Sequence, residues 1–382
     1  MLCVLFSSPS LAKKKHRKRH LTPITNPLVL WARTLTGSTD AEEKKRAAFK
    51  FSQYTQTIYQ EEAIRALLDC LKEQDITLRV LCTKALGKAG SAGRNESIRK
   101  ALLETFKNDP VLKMAITNTF IKRKDLSKET HDTLLASLKN EGDSEVLISL
   151  LSYFEQFGQA GDMDAVIEVY QKSKNVRVRR GAIKTLSERS QGQDAVVDIL
   201  AGCSLDKDTP LALNCLSGLQ AQARSNPKAI TAVEKTIMTG DPDVLLSTMD
   251  VINVFPEQPS PTLSKRLIEI IEGSEDPELT EKAVLSLGVV GNQSEALIAT
   301  LTKTLKNPSL SEGIHIASAL VLGKQAVFFP DEPKQFLNKC KAESASLALR
   351  KACQLGLQDL EARLKSAPKP SPILTPSSEA KP

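Results

Sequence analysis

The feature that most limits what this chain can fold into is an internal period. A short loop bearing Asp or Asn, followed by an apolar segment rich in small residues, recurs every 31 to 36 residues. Copies start at Asp75, Asp109, Asp143, Asn175, Asp208, Asp241, Asp276 and Asn307, with a weaker one near Glu343. The third residue after each start is apolar: Leu78, Leu112, Val146, Val178, Leu211, Val244, Leu279 and Leu310. The seventh is often small, as in Cys82, Ala182, Cys215 and Ala283. Apolar residues spaced by three and four mark one face of a helix, and small ones let a neighbour approach closely. Asp or Asn just ahead of such a stripe caps free backbone N–H groups, and Pro in the first turn forfeits no hydrogen bond.

Between these helices lie second stripes, among them SIRKALLETFK, MDAVIEVYQK and TLSKRLIEIIE, each ending just before the next Asp or Asn. A single helix pair leaves two apolar faces uncovered, so neighbouring pairs must stack to close a core. The expected fold is all-α: a right-handed α-solenoid of about nine helix pairs, a curved rod over residues 39–365. No stretch reaches the 18 apolar residues that a membrane span needs, so no span is expected.

The D/N-P/x-x-L/V…A-x-x-x-L helix, seen in DPELTEKAVLSLGVVG and NVRVRRGAIKTLSERS, resembles the HEAT family, particularly its short bacterial phycobilin-lyase-type form. The resemblance covers residues 70–365 and implies an armadillo-like helical repeat. It also implies a scaffold, inhibitor or adaptor, with a few lyases and DNA-repair glycosylases in the same company. The W…LG…Y and A…F…P pattern of tetratricopeptide arrays is not visible.

The flanks are of another kind. Residues 1–12, MLCVLFSSPSLA, read as a truncated signal peptide: Leu2 to Phe6 are apolar, and Ser10 and Ala12 stand in a small-x-small arrangement. A basic start is missing. Residues 13–38 read as a basic arm and linker, with Lys13, Lys14, Lys15, Arg17, Lys18 and Arg19 followed by Pro23 and Pro27. That run supplies most of the net charge of +7, so the remainder is close to neutral. Residues 366–382, with five Pro, read as a disordered tail.

Seven cysteines bear on the compartment. Setting Cys3 aside leaves Cys70 and Cys82, Cys203 and Cys215, and Cys340 and Cys353, pairs separated by 12, 12 and 13 residues. A Cys near the end of one helix and another near the middle of the next can meet across a tight turn. Three disulfides point to an oxidising compartment, periplasmic or secreted. The alternative is six small buried residues in a cytoplasmic protein. Zinc-type CxxC spacing is absent, so no metal is expected.

No catalytic motif stands out. His16, His20, His131 and His315 show no HxxxH or HExxH spacing, and no GxGxxG, phosphate loop or GxSxG occurs. The expectation is a non-enzymatic, monomeric scaffold or adaptor without a cofactor, binding a protein or peptide along its concave face. Candidate residues on the second helices are Arg99, Lys100, Lys107, Lys172, Glu234, Lys265, Glu269 and Glu272. The alternative is nucleic acid or another polyanion, held by the basic arm and by Arg177, Arg179 and Arg180. Charge is uneven along the array: residues 41–140 hold 19 Lys or Arg against 13 Asp or Glu, and residues 241–281 hold ten acidic against two basic.

Overall fold

The computed structural model describes residues 26–90, 95–189, 193–222, 228–239 and 241–366. The signal-peptide reading of 1–12, the basic run 13–20 and all but the first residue of the Pro-rich tail fall outside the described residues. Among those described there are twenty α-helices and no strand, only a lone parallel bridge between Ile58 and Ala89. They belong to two compact units, Met1–Asp125 and Leu126–Pro382.

The first unit holds α1 (Pro27–Gly37), α2 (Ala41–Gln53), α3 (Glu61–Cys70), α4 (Ile76–Leu86), α5 (Asn95–Asn108) and α6 (Lys113–Arg123). The second begins with α7 (Lys128–Asn140), α8 (Ser144–Phe157), α9 (Met163–Lys172), α10 (Val176–Arg189), α11 (Asp194–Cys203), α12 (Thr209–Gln222) and α13 (Lys228–Thr236). It continues with α14 (Pro242–Ile252), α15 (Pro261–Gly273), α16 (Pro277–Val290), α17 (Glu295–Lys306), α18 (Glu312–Gln325), α19 (Asp331–Glu343) and α20 (Leu347–Ser366). In each unit a helix packs on its successor and on the helix two along, as α2 on α4 and α4 on α6, or α8 through α20 in even steps. Even and odd helices thus form two layers.

The capping pattern explains where the even helices begin. Asp75 accepts from the Leu78 N–H, Asp143 from Glu145 and Val146, Asn175 from Arg177, Asp208 from Leu211 and Asp276 from Glu278 and Leu279. The third residue then turns inward: Leu78, Leu112, Val178 and Leu211 are all buried. At Asp109 the start is a short 3-10 turn ahead of α6.

Two starts move. Asn307 is the C-cap of α17, and its side chain accepts from the Ser309 N–H. Ser311 caps α18 instead, and Ile314 is the buried third residue in place of half-buried Leu310. Likewise Glu343 ends α19, while Ser346 accepts from the Leu349 N–H at the start of α20. Asn followed by Pro carries the same local chemistry as a helix start, yet Asn also closes helices, so local composition misplaces the register. With Ser311 and Ser346 as starts, the last two intervals from Asp276 are both 35 residues.

The linker reading of residues 13–38 also gives way. Asn26 caps α1 through the Leu28 N–H, with Pro27 in the first turn. Leu28, Ala32 and Leu35 are buried, and Trp31 stands edge-on to Phe51 and Tyr54, with ring centroids 5.4 and 6.1 Å apart. Pro27 initiates a helix rather than breaking one, so α1 and α2 form a pair at the start of the described residues.

The even layer is stitched at one end. A helix leaves its last four carbonyls unpaired and its C-terminus partly negative. Here a side chain at the end of the following even helix reaches back to them. Lys88 donates to the Ser52 carbonyl at 2.7 Å, Arg123 to those of Leu86 and Ala89, Arg189 to those of Glu155 and Gln156, and Gln325 to that of Leu287 at 3.0 Å. Thr119 and Thr185 add hydroxyl bonds to the Thr83 and Leu151 carbonyls.

All three cysteine pairs are disulfide-bonded. Cys70–Cys82 joins α3 to α4, Cys203–Cys215 joins α11 to α12, and Cys340–Cys353 joins α19 to α20, with Cα atoms 6.2, 5.9 and 6.1 Å apart. Each staples the two helices of one pair. In a chain-entropy picture, closing a loop of that length stabilises the fold by about 3 kcal/mol.

Candidate protein-binding surface

Counting from its capping residue, an even helix buries its third, seventh and tenth or eleventh positions. At 100° per residue the ninth falls on the opposite side, facing away from the odd layer. In the first unit the ninth positions are Phe49, Lys84 and Asn118. In the second they are Ser152, Lys184, Ser217, Asp250, Leu285, Leu320 and Leu355.

The last three form a leucine row across α16, α18 and α20. Leu285 is 40% exposed and Leu355 51% exposed, with Leu320 half-buried between them. Half-buried Ile316 lies one turn earlier on α18. At helix spacings of roughly 8 to 10 Å, the three leucines span on the order of 20 Å. A repeat that starts at Asn307 puts Leu320 out of phase, which hides the row in the sequence. Its signal there is the equal interval of 35 residues that separates the three leucines.

The residues expected to form a binding surface are placed differently. Arg99, Lys100 and Lys107 lie on α5, where Lys100 pairs with Glu96 at 2.8 Å. Lys172 on α9 pairs with Glu168. Glu234 on α13 accepts from the Ser260 hydroxyl at 2.8 Å. On α15, Lys265 is exposed, Glu269 pairs with Arg266 at 3.1 Å, and Glu272 accepts from Thr300 at 3.4 Å. These are odd-layer positions: Lys100, Lys172 and Glu269 pair within their own helices, and Glu234 and Glu272 bond to a neighbouring one.

The arginine patch at the start of α10 is neutralised from within. Arg177 pairs with Glu145, and Arg179 with Asp206 at 3.0 Å while it also donates to the Tyr170 hydroxyl and lies over that ring. Arg180 grips Asp208 through both carboxylate oxygens, the nearer at 2.8 Å. That guanidinium, aided by the Leu211 N–H, holds the Asp208 carboxyl below its ordinary value against a smaller push from burial. The three arginines are rungs between repeats.

Other features are structural. His131 on α7 meets buried Asp162 at 2.9 Å; that carboxylate also accepts from the Gln159 N–H and so fixes the turn that leads into α9. A cleft of about 390 Å³ lies between the ends of α7 and α9 and is lined by Leu138, Leu147, Val169, Lys172 and Asn175. Among the described residues no three His, Cys, Asp or Glu side chains are grouped to hold a metal ion, and no helix is long and apolar enough to cross a membrane. What the described residues build is a stack of paired helices without a strand.

No protein-family model matches the sequence, and no curated relative matches it. Among solved structures the likeness is one of fold. An engineered protein, 16% identical, covers 88% of this chain and 99% of its own, with a TM-score of 0.54. Kap121p, 10% identical, covers 89% of this chain with a TM-score of 0.50, and a Kap121p mutant, 11% identical, covers 89% with a TM-score of 0.51. This chain spans less than half the length of Kap121p, 42% and 43% in the two cases. The fold is an all-helical HEAT- and armadillo-like repeat. The narrower tie to phycobilin-lyase-type repeats gains nothing from these likenesses.

Proposed function

We propose that this chain is a non-enzymatic, monomeric scaffold that binds a protein partner across the open face of its even helices, with the leucine row of α16, α18 and α20 as the apolar anchor. The observation that carries the reading is the row itself: three large apolar side chains, regularly spaced, directed away from the core in a unit whose other ninth positions are polar. Interfaces take most of their affinity from a few desolvated apolar anchors.

This reading shifts the concave side from the odd helices to the even ones. In the second unit the even helices approach through glycines, and stacked layers of unequal spacing bend toward the closer one. The polyanion alternative loses its support in the described residues, because Arg177, Arg179 and Arg180 are each matched by a carboxylate. The three disulfides fit a non-cytoplasmic environment, and we place the chain in the periplasm or outside the cell.

A photo-reactive residue at position 285, used in the native host, tests the reading. The expected result is a crosslinked protein that is lost in Leu320→Arg/Leu355→Arg and retained in Lys265→Glu. Equal crosslinking from position 265, or a crosslink indifferent to the leucines, would refute it. Intact mass without reductant tests the compartment: the chain should lack six thiol hydrogens, and six alkylatable thiols would reverse the assignment.

A further inference from the structure

The even face of the first unit has a different chemistry. Lys84 occupies the ninth position of α4, Lys88 follows one turn later, and Lys122 is the equivalent of Lys88 on α6. Gly87 sits among them. A Cβ at that position would lie 3.3 Å from the Lys122 Cδ, so the absence of a side chain lets the lysine stem cross toward α4.

Three observations set this cluster apart from ordinary solvated lysines. Bases elsewhere in the same unit are matched between repeats, Lys44 by Glu73 at 2.7 Å, Lys45 by Asp75 at 2.9 Å and Arg79 by Asp109 at 2.9 Å. Among the described residues no carboxylate pairs with Lys84, Lys88 or Lys122. The Lys88 ammonium is held below its usual value, first by burial and then by the charges of Lys122 and Lys84. Among the described residues it donates to a neutral carbonyl, that of Ser52. The even helices of the same unit carry two large exposed apolar side chains, Phe49 at the ninth position of α2, 53% exposed, and Met114 on α6, 42% exposed. Part of the charge offsets the negative ends of α2, α4 and α6, but three mutually repelling ammonium groups exceed what a helix end needs.

We propose that Lys84, Lys88 and Lys122 form an acceptor for an acidic, extended segment of a partner protein, with Phe49 and Met114 taking apolar residues interspersed among its carboxylates. This rests on the reading of the chain as a protein-binding scaffold and names the chemistry of the segment bound at the first unit. The observations favour a peptide over nucleic acid. The basic groups are lysines, point charges without the planar fork that makes arginine the usual phosphate reader. Arg123 on α6 is committed to the carbonyls of Leu86 and Ala89. Phe49 on α2 and Met114 on α6 give an apolar arrangement without the successive aromatic platforms that stack bases.

The test uses the full chain and three fluorescent probes of equal length: a Glu-rich peptide with interspersed Leu, the same peptide with Gln for Glu, and single-stranded DNA. The Glu-rich peptide is expected to bind, with affinity falling as salt rises, and the Gln peptide is not. Lys84→Glu/Lys122→Glu should weaken binding at least about tenfold, since each reversal removes an attraction and adds a repulsion. Phe49→Ala should weaken it about threefold without changing the salt dependence. Lys84→Gln/Lys122→Gln, with unaltered circular dichroism, guards against misfolding and should fall between the two. Binding of the DNA as tight as that of the peptide, or peptide affinity unmoved by either double variant, would overturn the proposal. A partner still captured at position 285 in that event would leave the scaffold reading intact.

Discussion

The helical glycines divide by layer. Gly202 on α11 and Gly273 on α15 have open space where a side chain would be. On the even helices, Gly181 touches Leu151, Gly218 faces Ser187 and Leu200, Gly288 meets Val321, and Gly323 and Gly356 bring the backbones of α18 and α20 together. The same residue type is therefore incidental in one layer and closely packed in the other, most tightly where Gly323 and Gly356 meet backbone. The even layer is held by close backbone approach and by side chains that cap one another's carbonyls, and these contacts fix the distance from repeat to repeat. That is why the row of ninth positions can present side chains at a fixed interval. The odd-layer glycines meet nothing and leave more latitude.

The sharpest contrast is a methyl group added to each layer. Gly323→Ala should destabilise the chain by about 2 to 3 kcal/mol, because the new Cβ runs into the Gly356 carbonyl and neither backbone can yield cheaply. Gly202→Ala should be neutral or stabilising by up to about 1 kcal/mol, since alanine restricts the unfolded chain and meets nothing in the folded one. Urea unfolding of the two variants checks both signs. Equal effects would erase the distinction between layers.

A smaller effect sharpens the same comparison at the helix ends. Arg189→Ala deprives two carbonyls at the end of α8, those of Glu155 and Gln156, of a charged donor and should cost about 1 to 3 kcal/mol. Arg266 makes the corresponding reach in the odd layer, but with a single bond to the Ile237 carbonyl at 3.2 Å. Its replacement by Ala should cost no more than about 1 kcal/mol. If Arg266→Ala proves the costlier change, capping does not distinguish the layers.

Much of this architecture is legible in the residues, and the failures have identifiable causes. The period, the helical class and the capping Asp and Asn residues follow from local chemistry repeated along the chain, which a single sequence displays openly. The cysteine pairs are legible because nearly one spacing occurs three times at the same phase. Asn307 misleads because an Asn-Pro step closes one helix with the same groups that open another. Residues 27–37 are hidden because Pro23 and Pro27 look alike in sequence, while only Pro27 follows a capping Asn. The partners of the charged candidates are hidden for another reason. Helix position and charge cannot reveal that Glu234 is taken by Ser260 or that Arg180 is taken by Asp208. Such partners lie about one repeat away, and pairing across repeats is a tertiary fact.

The layers differ finally in the charge of their caps, and acid should expose it. Even helices begin largely at Asp or Asn, whereas α7, α15 and α17 begin at Ser127, Ser260 and Ser294. Asp75 is held below its ordinary value chiefly by the Lys45 ammonium and then by the Leu78 N–H, and Asp208 chiefly by Arg180. A carboxyl whose folded pKa is depressed stabilises the fold above its unfolded value, and that contribution drains away as the pH falls through and below about 3.9. Asp208→Asn should therefore lower the Tm at pH 7 and narrow the gap between pH 7 and pH 3. Ser294→Ala should lower it equally at both, since a hydroxyl cap has no charge to lose. Because both carboxylates are partly open to solvent, the shift should be smaller than the losses at Gly323 and Arg189, and salt should shrink it further. An Asp208→Asn chain whose Tm falls with acid as steeply as that of the unaltered chain would show that the pairing between repeats contributes nothing measurable to the even layer.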